Sequence, residues 1–91
     1  MVDVVDNTQN CRFEAMIGSE LAGQIDYVVG GEVITYTHTG VPAEFEGKGI
    51  ASALAQFALD QARLRGQSVV PQCPFVAEYI NRHPQYADLL A

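Results

Sequence analysis

Residues 41–63 read VPAEFEGKGIASALAQFALDQAR, and they divide at Gly49. After it, Ile50, Leu54, Phe57, Ala58 and Ala62 recur at helical spacing, while Ser52, Gln56, Asp60 and Arg63 form the opposite polar stripe. That pattern predicts an amphipathic helix, which Gly66 ends. Before the stretch, Cys11, Phe13, Ala15 and Ile17 alternate with Arg12, Glu14 and Met16, the mark of a strand with one apolar face. A turn over Gly18–Leu21 follows. Residues 23–29 and 32–39 are rich in Val, Ile, Tyr and Thr and flank Gly30-Gly31, a two-residue hairpin signal. After the helix, residues 67–73 predict a short buried strand and residues 74–82 a short second helix, which Pro84 terminates. The segment 33–72 is long enough for a crossover between parallel strands. The expected fold is α+β: an antiparallel meander of three strands, a strand-helix-strand crossover and a short C-terminal helix, on one mixed central sheet. No linker, repeat or low-complexity run divides residues 1–91, so a single domain is expected, with residues 1–8 loose.

The helix entry carries the first candidate site. A strand ending near Gly40 and a helix starting near Gly49 aim the backbone N–H groups of residues 47–51 at one point, and the helix dipole favours an anion there. Gly47 and Gly49 present no Cβ to block close approach, and Lys48 between them adds a charge. The same glycines also suit a plain turn into a helix, and the residues alone leave both readings open. Two familiar phosphate loops are excluded. GxxxxGK[ST] is absent, and a GxGxxG loop would need an acid about 20 residues onward, where Val69 stands.

Cys73 is the second candidate. It directly precedes Pro74, a residue suited to the first position of a helix, so its thiol sits at a helix N-terminus where the dipole favours the thiolate. A nucleophile and an ordinary buried thiol are both compatible with that place. His38, on the strand facing the crossover, is either a general base, since imidazole titrates near neutrality, or a structural sheet histidine. Glu44 is a lesser candidate for the base. Arg82 and His83 fit a helix C-terminus on dipole grounds alone, Cys11 reads as core, and Phe57, Phe75 and Tyr79 read as packing residues.

Eleven acidic against five basic side chains give a formal net charge of −6, which argues against nucleic acid or an anionic membrane as a partner and favours amines. No apolar run approaches the roughly 18 residues that span a bilayer, and MVDVVDNTQN lacks a secretory n-region, so a cytoplasmic protein with two free cysteines is expected. No CxxC or HxxxH pair suggests a metal, and none is expected.

The segments EGKGIASAL, PQCPFVAEYI and RHPQYADLL, in this order, resemble the small, single-domain YjdJ-type branch of the GNAT superfamily of N-acetyltransferases, and the similarity runs from about Phe13 to Leu90. Gly49 and Ala51 match the small positions of that superfamily's R/Q-x-x-G-x-G/A pyrophosphate loop, whereas Glu46 stands where arginine or glutamine is usual. The resemblance implies a GNAT-like fold that binds acetyl-CoA in a V-shaped opening between the strand ending near Gly40 and residues 68–72. Its pyrophosphate would rest on Gly47, Lys48, Gly49, Ile50, Ala51 and Ser52, and its pantetheine arm would run along residues 37–41, including Thr39 and Val41. Cys73 matches a cysteine regarded in that branch as a catalytic candidate, which would either carry the acetyl group as an intermediate or serve as an acid near the leaving sulfur in a direct transfer. The acceptor would be an amine, on a small molecule or on a protein lysine or N-terminus, and the protein a monomer or weak dimer. A non-catalytic CoA-binding or sensing module is the alternative.

Overall fold

A computed structural model describes residues 2–91; Met1 lies outside the described residues. Five strands, β1 (Asp3–Asn7), β2 (Arg12–Ile17), β3 (Glu20–Gly30), β4 (Val33–Gly40) and β5 (Ser68–Pro71), form one sheet in the order β1-β2-β3-β4-β5. The first four pair antiparallel, and β5 joins β4 in parallel after a crossover through α1 (Ile50–Leu64). Helix α2 (Pro74–Arg82) and a 3₁₀ segment, Pro84–Leu89, complete the chain. No helix among the described residues is long and apolar enough to cross a membrane.

One face of the sheet carries the core. Phe13, Ala15 and Ile25 are fully buried from the sheet, against Leu54, Ala55, Ala58 and Leu59 of α1, with Val76 and Ile80 of α2. Burying each large apolar side chain contributes about 1.5–3 kcal/mol. Small residues let the layers close. An added Cβ at Gly23 would lie 2.9 Å from Ile50 Cγ2, so only glycine admits the start of α1 this near to β3. Tyr36, wholly buried, donates its hydroxyl to the Ala58 carbonyl at 2.6 Å and pins β4 to α1. Arg12, Glu14, Gln24 and Asp26 alternate with these core positions and pair among themselves, with Arg12 Nε 2.6 Å from Glu14 and Gln24 Nε2 2.9 Å from Asp26.

Two clamps fasten the ends. Asp6 accepts a hydrogen bond from the Tyr27 hydroxyl at 2.6 Å and one from Arg65 at 2.9 Å, which ties β1 to the end of α1. Arg63 holds both Asp88 oxygens at 2.9 Å and the Gln85 carbonyl at 2.8 Å, while Tyr86 donates to Asp60 at 2.8 Å.

Four expectations change. Residues 3–7, expected to be loose, form edge strand β1 against β2, so the meander has four strands rather than three. Cys11, expected in the core, is exposed in the turn between them with φ 51°, because the β1–β2 ladder already closes at Asn7 and Arg12. The β3–β4 turn falls on Gly31-Glu32, one residue later than expected, since Gly30 still pairs with Val33 and Gly31 supplies the positive φ of 62°. Phe75, expected to pack, is 37% exposed.

Candidate functional site

The site grows from the end of β4. Its ladder with β5 covers Val33–Tyr36 against Ser68–Pro71 and then stops, although β4 itself continues to Gly40. The chain leaves β5 through Gln72, and the Cys73 N–H bonds to the Tyr36 carbonyl at 2.9 Å before α2 begins. From Thr37 onward β4 therefore has no strand beside it on this edge among the described residues. A bulge lies at the same point: His38 pairs with Asp26 and Tyr36 with Tyr27, so Thr37 is the extra residue. Bulges of this kind re-aim side chains. Here Thr39, across from buried Ile25, shares the helix-covered face with Tyr36 despite the odd spacing between them.

Beyond Gly40 the chain makes a short 3₁₀ turn, Ala43–Phe45, and enters α1 through two glycines in the left-handed region, Gly47 at φ 79° and Gly49 at φ 76°. Gly49 is the N-cap, and no side chain caps the helix. Ala53 N–H returns to the Gly49 carbonyl at 3.0 Å, so the N–H groups of Ile50, Ala51 and Ser52 precede the first helical bond. An open cleft of about 270 Å³ is lined here by Val41, Phe45, Glu46, Gly47, Gly49, Ile50, Ala51 and Ser52. Six residues singled out in the sequence thus come together: Val41, Gly47, Gly49, Ile50, Ala51 and Ser52. Lys48 is exposed and does not line the cleft. Arg12, Arg63, Arg65 and Arg82 each have a carboxylate partner, which leaves Lys48 as the one Lys or Arg without an ionic partner among the described residues. Glu46 brings a carboxylate to the cleft wall.

Cys73 occupies the N-cap of α2, with Pro74 at the first helical position, and is 4% exposed. Its sulfur lies 3.1 Å from the Thr39 hydroxyl, a contact the sequence did not suggest because the two residues are far apart in the chain. His38 is exposed and sits across from Asp26 on the uncovered face, so it and Thr39 flank the β4 edge from opposite sides. Glu44 is exposed in the 3₁₀ turn.

A neighbouring cleft of about 270 Å³ shares Ser52 with the first and is lined by Phe75, Glu78, Tyr79, Arg82 and His83. The Tyr79 and His83 rings stack at 3.9 Å, and His83 Nδ1 lies 2.8 Å from the Tyr79 carbonyl. Arg82 stands 3.6 Å from Glu78, one turn earlier. Burial, with the Asp60 charge second, pushes the Tyr79 phenol above its ordinary pKa.

Comparison with known proteins bears on this geometry. A family model described as GCN5-related N-acetyltransferase matches residues 12–89. The solution structure of a GCN5-like protein from Staphylococcus aureus aligns with a TM-score of 0.74 at 21% identity over 98% of this chain and 87% of that one. The crystal structure of a ribosomal-protein-alanine N-acetyltransferase from Brucella melitensis biovar Abortus aligns with a TM-score of 0.63 at 25% identity over 88% of this chain. This chain spans 60% of that enzyme's length.

Proposed function

The chain belongs to the GCN5-related N-acetyltransferase family, and from that premise we propose that it transfers the acetyl group of acetyl-CoA to an amine. The observation that carries the proposal is the alignment of two features along one strand end. The residues whose N–H groups precede the first bond of α1 line an open cleft, and the Thr39–Cys73 pair stands where β4 loses its neighbour. In this reading the pyrophosphate occupies the cleft, on the N–H groups of residues 47–52, with Lys48 adding charge at its rim. The pantetheine arm runs back along Val41 and Thr39, whose strand edge is free to hydrogen-bond it, and delivers the thioester to Cys73.

The Cys73 thiol gives its proton to solvent, and the thiolate attacks the thioester carbonyl. The bond to the CoA sulfur breaks, CoA leaves as a thiolate that takes a proton from water, and acetyl-Cys73 remains. A neutral amine then attacks the acetyl carbon, its N–C bond forms as the bond to Sγ breaks, and its proton is lost to water, which can pass it round the β4 edge to His38 on the uncovered face. Local N–H donors must outweigh the repulsion between the acidic chain and the CoA phosphates, which salt partly screens. A cytoplasmic monomer or weak dimer needing no metal fits this reaction.

Titration with acetyl-CoA followed by intact-protein mass analysis tests the reading. Saturation near 100 times the dissociation constant should add about 2.7 kcal/mol of stability. A mass gain of one acetyl group, mapped to Cys73 and cleared by an amine, completes the case. Stabilisation without acceptor-dependent CoA release would identify a CoA-sensing module instead, and no stabilisation would refute the proposal.

A further inference from the structure

Among the described residues, the Thr39 hydroxyl is the one polar side-chain group against the Cys73 sulfur, at 3.1 Å, and it has no other hydrogen-bond partner. Its place is specified twice over. The bulge at Thr37 gives up regular pairing and leaves Thr39 facing the helices, and the departure of the chain from β5 at Gln72 brings the N-cap of α2 to meet it. Cys73 as a whole is 4% exposed, and its side chain does not cap α2 with a hydrogen bond. Solvent therefore contributes little to stabilising a charge on it, and a thiolate there requires donors from the protein. The dipole of α2 supplies part of that field. The Thr39 hydroxyl, 3.1 Å from the sulfur, is the side-chain group placed to supply a directed part.

We infer that Thr39 is a positioning residue whose hydroxyl donates to the Cys73 sulfur and holds it as the thiolate that attacks the thioester. The inference rests on the acetyl-transfer reading above. It also sets a direction: a hydroxyl that instead accepted from the thiol would keep the sulfur neutral and slow its chemistry.

The test uses Cys11→Ser as background, which leaves Cys73 as the sole thiol, and compares Thr39, Thr39→Val and Thr39→Ser. Two rates are measured at neutral pH: alkylation of Cys73 by iodoacetamide and formation of acetyl-Cys73 from acetyl-CoA. Because a hydrogen bond to a charged group is among the stronger ones, Thr39→Val should slow both about tenfold, while Thr39→Ser, which keeps the donor, stays within about threefold of the parent. Thr39→Val reacting as fast as the parent or faster, or Thr39→Ser failing to restore the rate, would overturn the inference. If alkylation depends on the hydroxyl but acetyl-Cys73 never forms, the covalent step falls and the hold of Thr39 on the sulfur stands.

Discussion

Replacing Gly23 with alanine should lower stability by about 1–2 kcal/mol, although alanine is the better strand residue. The added Cβ would lie 2.9 Å from Ile50 Cγ2, 3.1 Å from Leu54 Cδ1 and 3.2 Å from the Gly40 carbonyl oxygen. None of these yields cheaply. Ile50 Cγ2 is fixed on a branched Cβ, Leu54 is fully buried, and the Gly40 oxygen is backbone. The φ of Gly23 lies outside the left-handed region, so torsion carries no penalty and the entropy of the unfolded chain favours alanine by about 0.5–1 kcal/mol. Overpacking of a tight core costs about 1–3 kcal/mol, which wins. For a domain of this size each kcal/mol shifts Tm by about 4–8 °C, so thermal denaturation should show a fall of about 5–15 °C. The damage has a direction, because Ile50 also lines the cleft at the start of α1. Relief of the clash pushes that helix start outward, and stabilisation by acetyl-CoA should shrink together with Tm. An unchanged or higher Tm for Gly23→Ala would refute the claim that glycine is required for the approach of α1 to β3.

Glu46→Gln removes a carboxylate from the cleft wall and should tighten CoA binding about two- to threefold in low salt, with the gain fading as salt screens it; calorimetric titration at two ionic strengths reads this. Gly49→Ala and Gly66→Ala both force alanine into the left-handed region, at φ 76° and 67°, and each should cost about 1–2 kcal/mol by urea denaturation. Only the first should also weaken CoA binding, because Gly66 lies at the far end of α1. Tyr27 and Tyr86 are pushed up from 10.0 to about 12, first by burial and then by donating to Asp6 and Asp60. Since the folded values exceed the unfolded one, their contribution is complete below pH 10 and is lost as pH rises toward 12. Urea midpoints should fall across that window, and Tyr27→Phe should flatten part of the fall; a constant midpoint would show that the phenols do not titrate differently on unfolding.

The legible parts of the chain were those written in a period. The stripe of α1, the stop at Gly66 and the Pro74 start of α2 each declare themselves within one or two turns, and the structure has them where the spacing puts them. Strand β1 does not. It is a short edge strand whose sequence, DVVDN, mixes acids with valines and leaves Val5 46% exposed, so neither alternation nor an apolar run marks it. Cys11 misleads for the opposite reason: it extends the alternation of β2 by one residue past the point where the ladder closes. At the candidate site, the grouping of Gly47, Gly49, Ile50, Ala51 and Ser52 was readable because they lie within six residues of one another. The Thr39–Cys73 contact was not, since it depends on the bulge at Thr37 and on where the chain leaves β5, and neither has a signature in the residues themselves.

The strand order has a kinetic consequence. Every ladder in β1-β2-β3-β4-β5 joins strands adjacent in the sequence, and the first three close through turns of a few residues. Such local pairings bear little loop-closure entropy and form early. The β4–β5 ladder closes only after the whole of α1 has been laid down, and the Thr39–Cys73 pair, 34 residues apart, belongs to that last closure. A folding chain is therefore expected to assemble its antiparallel meander before it owns a thiol site. The protection of Cys73 from a thiol reagent during refolding becomes a clock for the final step, while the exposed Cys11 in the same molecule provides the unprotected reference.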